Sequence, residues 1–206
     1  MRLFSYVVRY DSGFAPNPFF GICTLATCKP DIRKAAQIDD WIIGTGSADK
    51  SVRHGGRLVY AMRVTETLNY EDYWRDARFQ RKKPNLRGSK KQACGDNVYQ
   101  RDTITGNWEQ LDSFHSERDG SPSMRHIERD TKVDRVLASN EFVYFGGHGP
   151  VIPAEFRDYN GVDICKRGQG RKIFKDDAIV QAFVFWIRSL GHAGYVSDPF
   201  DWVTMS

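Results

Sequence analysis

Apolar positions fall into short alternating or continuous runs, separated by glycine, proline and polar residues. Runs of that kind predict strands of half-buried or buried sheet. Residues 3–10, 20–26, 41–44, 57–65 and 141–145 read this way, and residues 96–102 and the region around Trp108 suggest further strands. In residues 11–20, Pro16 and Pro18 flank Asn17 and impose a loop. Pro30 can open a short helix through residue 37, since proline is tolerated at the first helical position. The clearest helix is residues 70–79. Asn69 can cap it, Glu71 and Asp72 suit its first turn, and Tyr70, Tyr73, Trp74 and Ala77 form one apolar face. Residues 176–190 predict a second helix, started by Asp176 or Asp177 and stopped by Gly191. Its apolar residues surround the axis and predict deep burial, while the alternation of Phe183, Phe185 and Ile187 leaves a strand open. Residues 113–129 are polar and irregular, a mobile surface excursion by pattern. Six or seven strands and two or three helices, without regular β-α-β order, predict an α+β fold: a curved mixed sheet or a small barrel.

The 206 residues suit one domain able to bury a core without disulfide or metal staples. No run of about 18 apolar residues exists to span a bilayer. Residues 1–10 lack the apolar stretch and cleavage site of a secretory leader. Cys23, Cys28, Cys94 and Cys165 are irregularly spaced, so they are expected to be reduced thiols in a cytoplasmic protein.

Charge adds more through its placement than its total. Net charge is +4, yet Arg78, Arg81, Lys82, Lys83, Arg87, Lys90 and Lys91 fall in one stretch without an acid. Removing those seven from the 30 basic residues leaves 23 against 26 acidic ones. Such a patch attracts phosphates by long-range electrostatics and counterion release, although a solvated loop has the same composition. Pro84 and Gly88 mark the stretch as a loop continuing from the helix end.

Four places carry candidate chemistry. Thr45 and Ser47, in Gly44-Thr45-Gly46-Ser47, could hold phosphate or a base edge with their hydroxyls and neighbouring amides, but the spacing is not that of a P-loop and a simple turn serves as well. Asp11, Asn17 and Phe19 offer a carboxylate, an amide and a ring from one proline-fixed loop. Asp96, Asn97 and Tyr99 follow the basic stretch, where Asp96 could accept from a base amino group while Tyr99 stacks. His148 stands in a glycine-rich bend at a strand end and could act as acid, base or donor. No set of residues specifies a catalytic centre. A metal site from Cys23, Cys28 and the scattered histidines His54, His115, His126 and His192 is weak, because Cys-x4-Cys lacks the matching second pair of a structural zinc site; no metal ligand is assigned and the cofactor is left open.

Several segments in order resemble the nucleotide modification associated domain 2 family: residues 5–11, 15–19, 24–30, 40–47, 58–65, 73–74, 95–99 and 142–146. The resemblance spans most of the chain. It implies a setting of nucleotide modification in phages and bacteria, including defence, and transfers no catalytic residue. A looser resemblance, in the turn before residues 41–44 and in residues 57–65 running into an aromatic helix, is to the PUA, ASCH and EVE group, which implies a PUA-like β-barrel with a nucleotide pocket. The expected partner is a nucleotide or nucleic acid, with no membrane. The basic stretch would contact phosphate, and Asn17, Thr45, Ser47, Asp96 and Tyr99 would read the base. Two other readings use the same residues: an enzyme in which Asp11, Asp96 or His148 moves a proton, and a module docking an acidic protein partner.

Overall fold

A computed structural model describes all residues except 50, 51, 53, 167 and 204–206. The chain is α+β and divides into two compact units. The first comprises Met1–Ser12, Ala36–Thr65 and Ser139–Ser206; the second comprises Gly13–Ala35 and Glu66–Ala138.

The first unit is built on a six-stranded mixed sheet, in the order Arg171–Phe174, Leu3–Val8, Trp41–Gly46, Leu58–Arg63, Glu141–Tyr144, Gly194–Tyr195. Leu3–Val8 runs parallel to Trp41–Gly46, as does Gly194–Tyr195 to Glu141–Tyr144; the other pairings are antiparallel. The sheet has two edges, so it is an open mixed sheet and not a barrel. Burial on both faces explains the continuous apolar run Trp41-Ile42-Ile43 where a half-buried strand would alternate.

Helix Asp177–Ser189 packs Ile179, Val180, Phe183, Val184 and Ile187 into a core with Leu3, Ile43, Leu58, Ala61 and Val143. The Asp176 carboxylate accepts from the Ala178 amide at 2.8 Å and caps the helix, which settles helix over strand for this segment. Its burial is one-sided, with Phe185 74% exposed on the opposite face, where the sequence predicted burial all round. Strand Trp41–Gly46 extends through the glycines expected to form a loop. A Cβ on Gly44 would stand 2.5 Å from a Tyr60 ring carbon, and one on Gly46 would stand 2.0 Å from the His54 carbonyl oxygen, so close packing accounts for both residues.

The second unit has a three-stranded sheet ordered Cys23–Leu25, Val136–Ser139, Glu66–Leu68, and a hairpin of Tyr99–Arg101 with Trp108–Gln110. Phe14, Tyr70, Tyr73, Phe79, Val98 and Ile127 are among its core. The expected helix 70–79 is two elements. Asn69 caps Tyr70–Arg75 through the Asp72 amide at 2.7 Å. Asp76 then leaves the helical region and caps a 3-10 helix, Ala77–Lys82, through the Arg78 amide at 2.8 Å. A short acidic side chain that bonds the backbone ahead of it competes with helix continuation. The basic stretch accordingly starts in the 3-10 helix and ends in helix Lys90–Ala93, which is opened by a capping box of Ser89 and Gln92. The expected excursion around 112–130 contains helix Met124–Thr131, which buries Ile127 and Asp130. Among the described residues no helix is long and apolar enough to cross a membrane.

Candidate functional site

The residues singled out by sequence divide between the two units. Asp11, Thr45, Ser47 and His148 belong to the first, and the remainder to the second. Asp11 is buried and accepts from the Tyr144 hydroxyl, while its own amide donates to Asp201 at 2.7 Å. The Thr45 hydroxyl donates to the Tyr6 carbonyl at 3.3 Å, and Ser47 accepts from the Asp49 amide at 3.2 Å. His148 is exposed, with Nδ1 3.1 Å from the Ser197 hydroxyl.

In the second unit, Asn17, Asp96, Asn97 and Tyr99 are all buried and bonded to the interior. Asn17 donates to the Cys94 carbonyl at 2.7 Å and accepts from the Lys82 ammonium at 2.5 Å on its side-chain oxygen. Asp96 accepts from the hydroxyls of Tyr73 at 2.6 Å and Thr24 at 2.7 Å. Asn97 donates to the Tyr73 carbonyl at 2.8 Å. Phe19 is buried against Phe20. Burial raises the Asp96 carboxyl, partly offset by Lys82, and pulls Lys82 down to about 8, partly offset by Asp96.

The basic residues separate by environment. Lys82 lies in the interior. Arg78 pairs with Asp76 at 2.6 Å and Glu66 at 2.8 Å. Arg81, Arg87 and Lys90 are exposed, with Arg81 4.4 Å above the Phe20 ring. Lys83 and Lys91 are half-buried; the Lys83 ammonium sits 3.8 Å over the Trp74 ring and Lys91 sits 6.0 Å from the Phe19 ring. Trp74 and Trp108 line one cleft of about 360 Å³, together with Gln100, Glu109, Gln110 and Leu111. Arg101 covers the Trp108 ring at 4.1 Å.

A second group in this unit joins Cys28 and His115, which the sequence offered only as a weak metal site among scattered histidines, to Asp130, which it did not single out. The Cys28 thiol lies 3.5 Å from His115 Nε2, and His115 Nδ1 lies 2.8 Å from Asp130. Asp130 also accepts from the Tyr99 hydroxyl at 2.9 Å, Arg129 at 3.0 Å and the Cys28 amide at 2.9 Å. Burial alone would raise the Asp130 carboxyl, but hydrogen bonds from His115 and Arg129 outweigh it and hold the group well below the usual carboxylate range. Burial lowers His115 despite Asp130, and burial followed by the Asp130 charge raises Cys28. The resting group is a thiol, a neutral imidazole and a carboxylate. An ionised carboxylate only accepts, so Nδ1 carries the ring proton and Nε2 presents its lone pair to the thiol.

The local sequence explains the placement. Cys28 and Lys29 turn the chain with φ of 58° and 41°, immediately before the helix opened by Pro30. Arg33 of that helix is fully buried. Its guanidinium donates to the carbonyls of Cys28 (2.9 Å), Asp130 (2.6 Å), Val133 (2.8 Å) and Arg135 (2.6 Å). One side chain thus fixes the backbones that carry the thiol and the carboxylate. Cys28, His115 and Asp130 each offer one ligand atom, all within 4.8 Å of one another, so among the described residues the same group could hold a metal ion. Cys28 was legible in sequence as a thiol and a weak metal-ligand candidate, and His115 lay in a segment with no pattern to mark it.

No curated protein and no solved structure matches this chain. A family model described as nucleotide modification associated domain 2 matches residues 1–206, and the chain belongs to that family.

Proposed function

We propose that this chain recognises a nucleotide or nucleic acid, a modified one in the phage or bacterial setting that the family resemblance implies, through the cation-flanked cleft of Trp74 and Trp108. The cleft carries this reading: two half-buried indoles line a space of about 360 Å³, within the size range of small-molecule sites. Indoles stack on any base, and Gln100 and Glu109, hydrogen-bonded to each other at 2.5 Å, line the cleft with polar groups that can face a base edge. Lys83 and Arg101 lie over the two rings, and Arg81, Arg87, Lys90 and Lys91 supply further positive charge for phosphate. Membership in a nucleotide-modification family supports choosing nucleotides over other anions. Asn17, Asp96, Asn97 and Tyr99 support the unit from within, so selectivity is assigned to the rim.

Tryptophan fluorescence, titrated with nucleotides and short oligonucleotides at several salt concentrations, tests the reading. Quenching is expected, with affinity falling on a log–log salt slope of up to about −4 if most of the surface cations meet phosphate. Trp108→Ala should weaken binding of all bases, and Lys83→Ala should flatten the slope. Quenching that ignores salt and survives both substitutions would reject it.

A further inference from the structure

We infer that Cys28 is the nucleophile of a thiol acyl-transfer centre, with His115 as its general base, Asp130 holding the imidazole and Arg129 offsetting negative charge. The substrate class is a carbonyl compound with a leaving amine or alcohol, an amide or an ester.

The order of the contacts carries the inference. His115 stands between the other two groups, with Nε2 on the thiol at 3.5 Å and Nδ1 on the carboxylate at 2.8 Å. A nucleophile, a base and an orienter in line is the arrangement that activates a weak nucleophile. It also argues against a chelate. A metal bound by one ring nitrogen would meet Cys28 or Asp130 on that side, while the other ring nitrogen keeps its own partner. Asp130 is already occupied by four donors, and the Arg129 guanidinium lies 3.7 Å from Sγ, where it would repel a cation.

The surrounding fold is consistent with a held reactive group. Two consecutive non-glycine residues, Cys28 and Lys29, occupy the left-handed region, a strain that persists only where neighbours enforce it. Arg33 enforces it by binding the carbonyls of both Cys28 and Asp130. Phe14 and His126 pack on the imidazole at 4.6 and 4.3 Å between ring centres, and the His115 carbonyl accepts from Gln110 and lies 2.7 Å from His126 Nδ1. The base is therefore fixed in position and orientation.

The step balances within the site. Sγ attacks the carbonyl carbon as its proton passes to His115 Nε2, forming the S–C bond and a tetrahedral oxyanion. The Arg129 guanidinium, 3.3 Å from Nε2, is placed to offset that charge. Collapse breaks the C–N or C–O bond, and His115 returns the proton to the departing amine or alcohol. Water, deprotonated by the same imidazole, then cleaves the thioester and restores the thiol.

The full chain incubated with p-nitrophenyl acetate tests this without any nucleotide, so the result is independent of the binding reading above. A burst of nitrophenolate close to one per chain is expected, with a single acetyl group mapped by mass spectrometry to Cys28. Cys28→Ala should abolish it, and His115→Gln should slow acylation by about 10²–10⁴-fold with folding confirmed by circular dichroism. Should His115→Gln fail to fold, the wild-type rate at Cys28 against N-acetylcysteine in the same buffer decides, with at least a tenfold advantage expected. No acylation of the wild type, acetyl groups on other cysteines, a His115→Gln rate equal to wild type, or no advantage over N-acetylcysteine would each overturn the assignment. Stoichiometric zinc uptake lost in Cys28→Ala, without acylation, would replace it with a metal site.

Discussion

The ammonium of Lys82 donates to the side-chain oxygen of Asn17 at 2.5 Å and to its backbone carbonyl at 3.1 Å, inside the second unit. A lysine from the most basic stretch of the chain is thereby a structural pillar, and it fixes the proline-flanked loop that carries Asn17. Asn17 pairs in turn with Thr24 of the neighbouring strand through two backbone hydrogen bonds, at 2.8 and 2.9 Å.

Replacing Lys82 should therefore act on stability. Lys82→Met removes a buried charge-assisted donor and leaves Asn17 Oδ1 short of its partner, a loss of about 2–3 kcal/mol by urea denaturation. Lys83→Ala, one residue on, should cost no more than about 1 kcal/mol, because half-buried Lys83 gives up only a contact over the Trp74 ring. Equal stability for the two variants would remove Lys82 from the interior framework.

Lys82 also sets a pH dependence. Burial brings its folded value down to about 8 from 10.5 in the unfolded chain. Between those values the unfolded state binds more protons, so this group makes stability rise with pH. Below about 8 both states are protonated and the contribution is flat; above about 10.5 it is flat again. Denaturation of wild type and Lys82→Met between pH 7 and 10 should show the wild type gaining on the variant as pH rises. A constant difference would mean that the bonds to Asn17 keep the ammonium charged in spite of burial.

Local signals were legible. Asn69 and Asp176 cap the helices predicted from them, and the strand runs around Leu3, Trp41, Leu58 and Phe142 appear in the sheet. The α+β mixed sheet follows from the same runs. What composition could not say is which charges go inside: Lys82 and Lys83 are adjacent, and only the 3-10 turn starting after Asp76 sends the first inward. The Cys28–His115–Asp130 group was legible only as a weak pairing of Cys28 with some histidine, because its members are 87 and 15 positions apart and no periodicity links them. Arg33 gave no signal either, since a buried arginine satisfied by four carbonyls looks in sequence like any helix-surface cation.

Gly44 offers a test of packing against ligand binding. Its missing Cβ makes room for the Tyr60 ring and for Val8, which would stand 2.5 and 2.6 Å from that atom. Gly44→Ala should cost about 1–3 kcal/mol through overpacking of the sheet, read as a lower urea midpoint. Nucleotide affinity per folded molecule should be unchanged, since the cleft of Trp74 and Trp108 lies in the other unit. Lost affinity with unchanged stability would restore Gly44-Thr45-Gly46-Ser47 as a binding loop.

Arg33 is the residue on which the thiol group's geometry rests most directly. Its planar guanidinium reaches four carbonyls at once, which an ammonium on a lysine stem cannot reproduce. Arg33→Lys should lower stability by about 2–4 kcal/mol, since carbonyls are left unpaired in the interior. Because the Cys28 and Asp130 carbonyls are both among them, the alignment of thiol, imidazole and carboxylate should loosen as well. Acylation of Cys28 in the folded variant should fall at least tenfold, while a stability loss of similar size from Gly44→Ala in the first unit should leave it unchanged. Equal acylation rates in the two variants would show that Arg33 supports the fold without positioning the thiol.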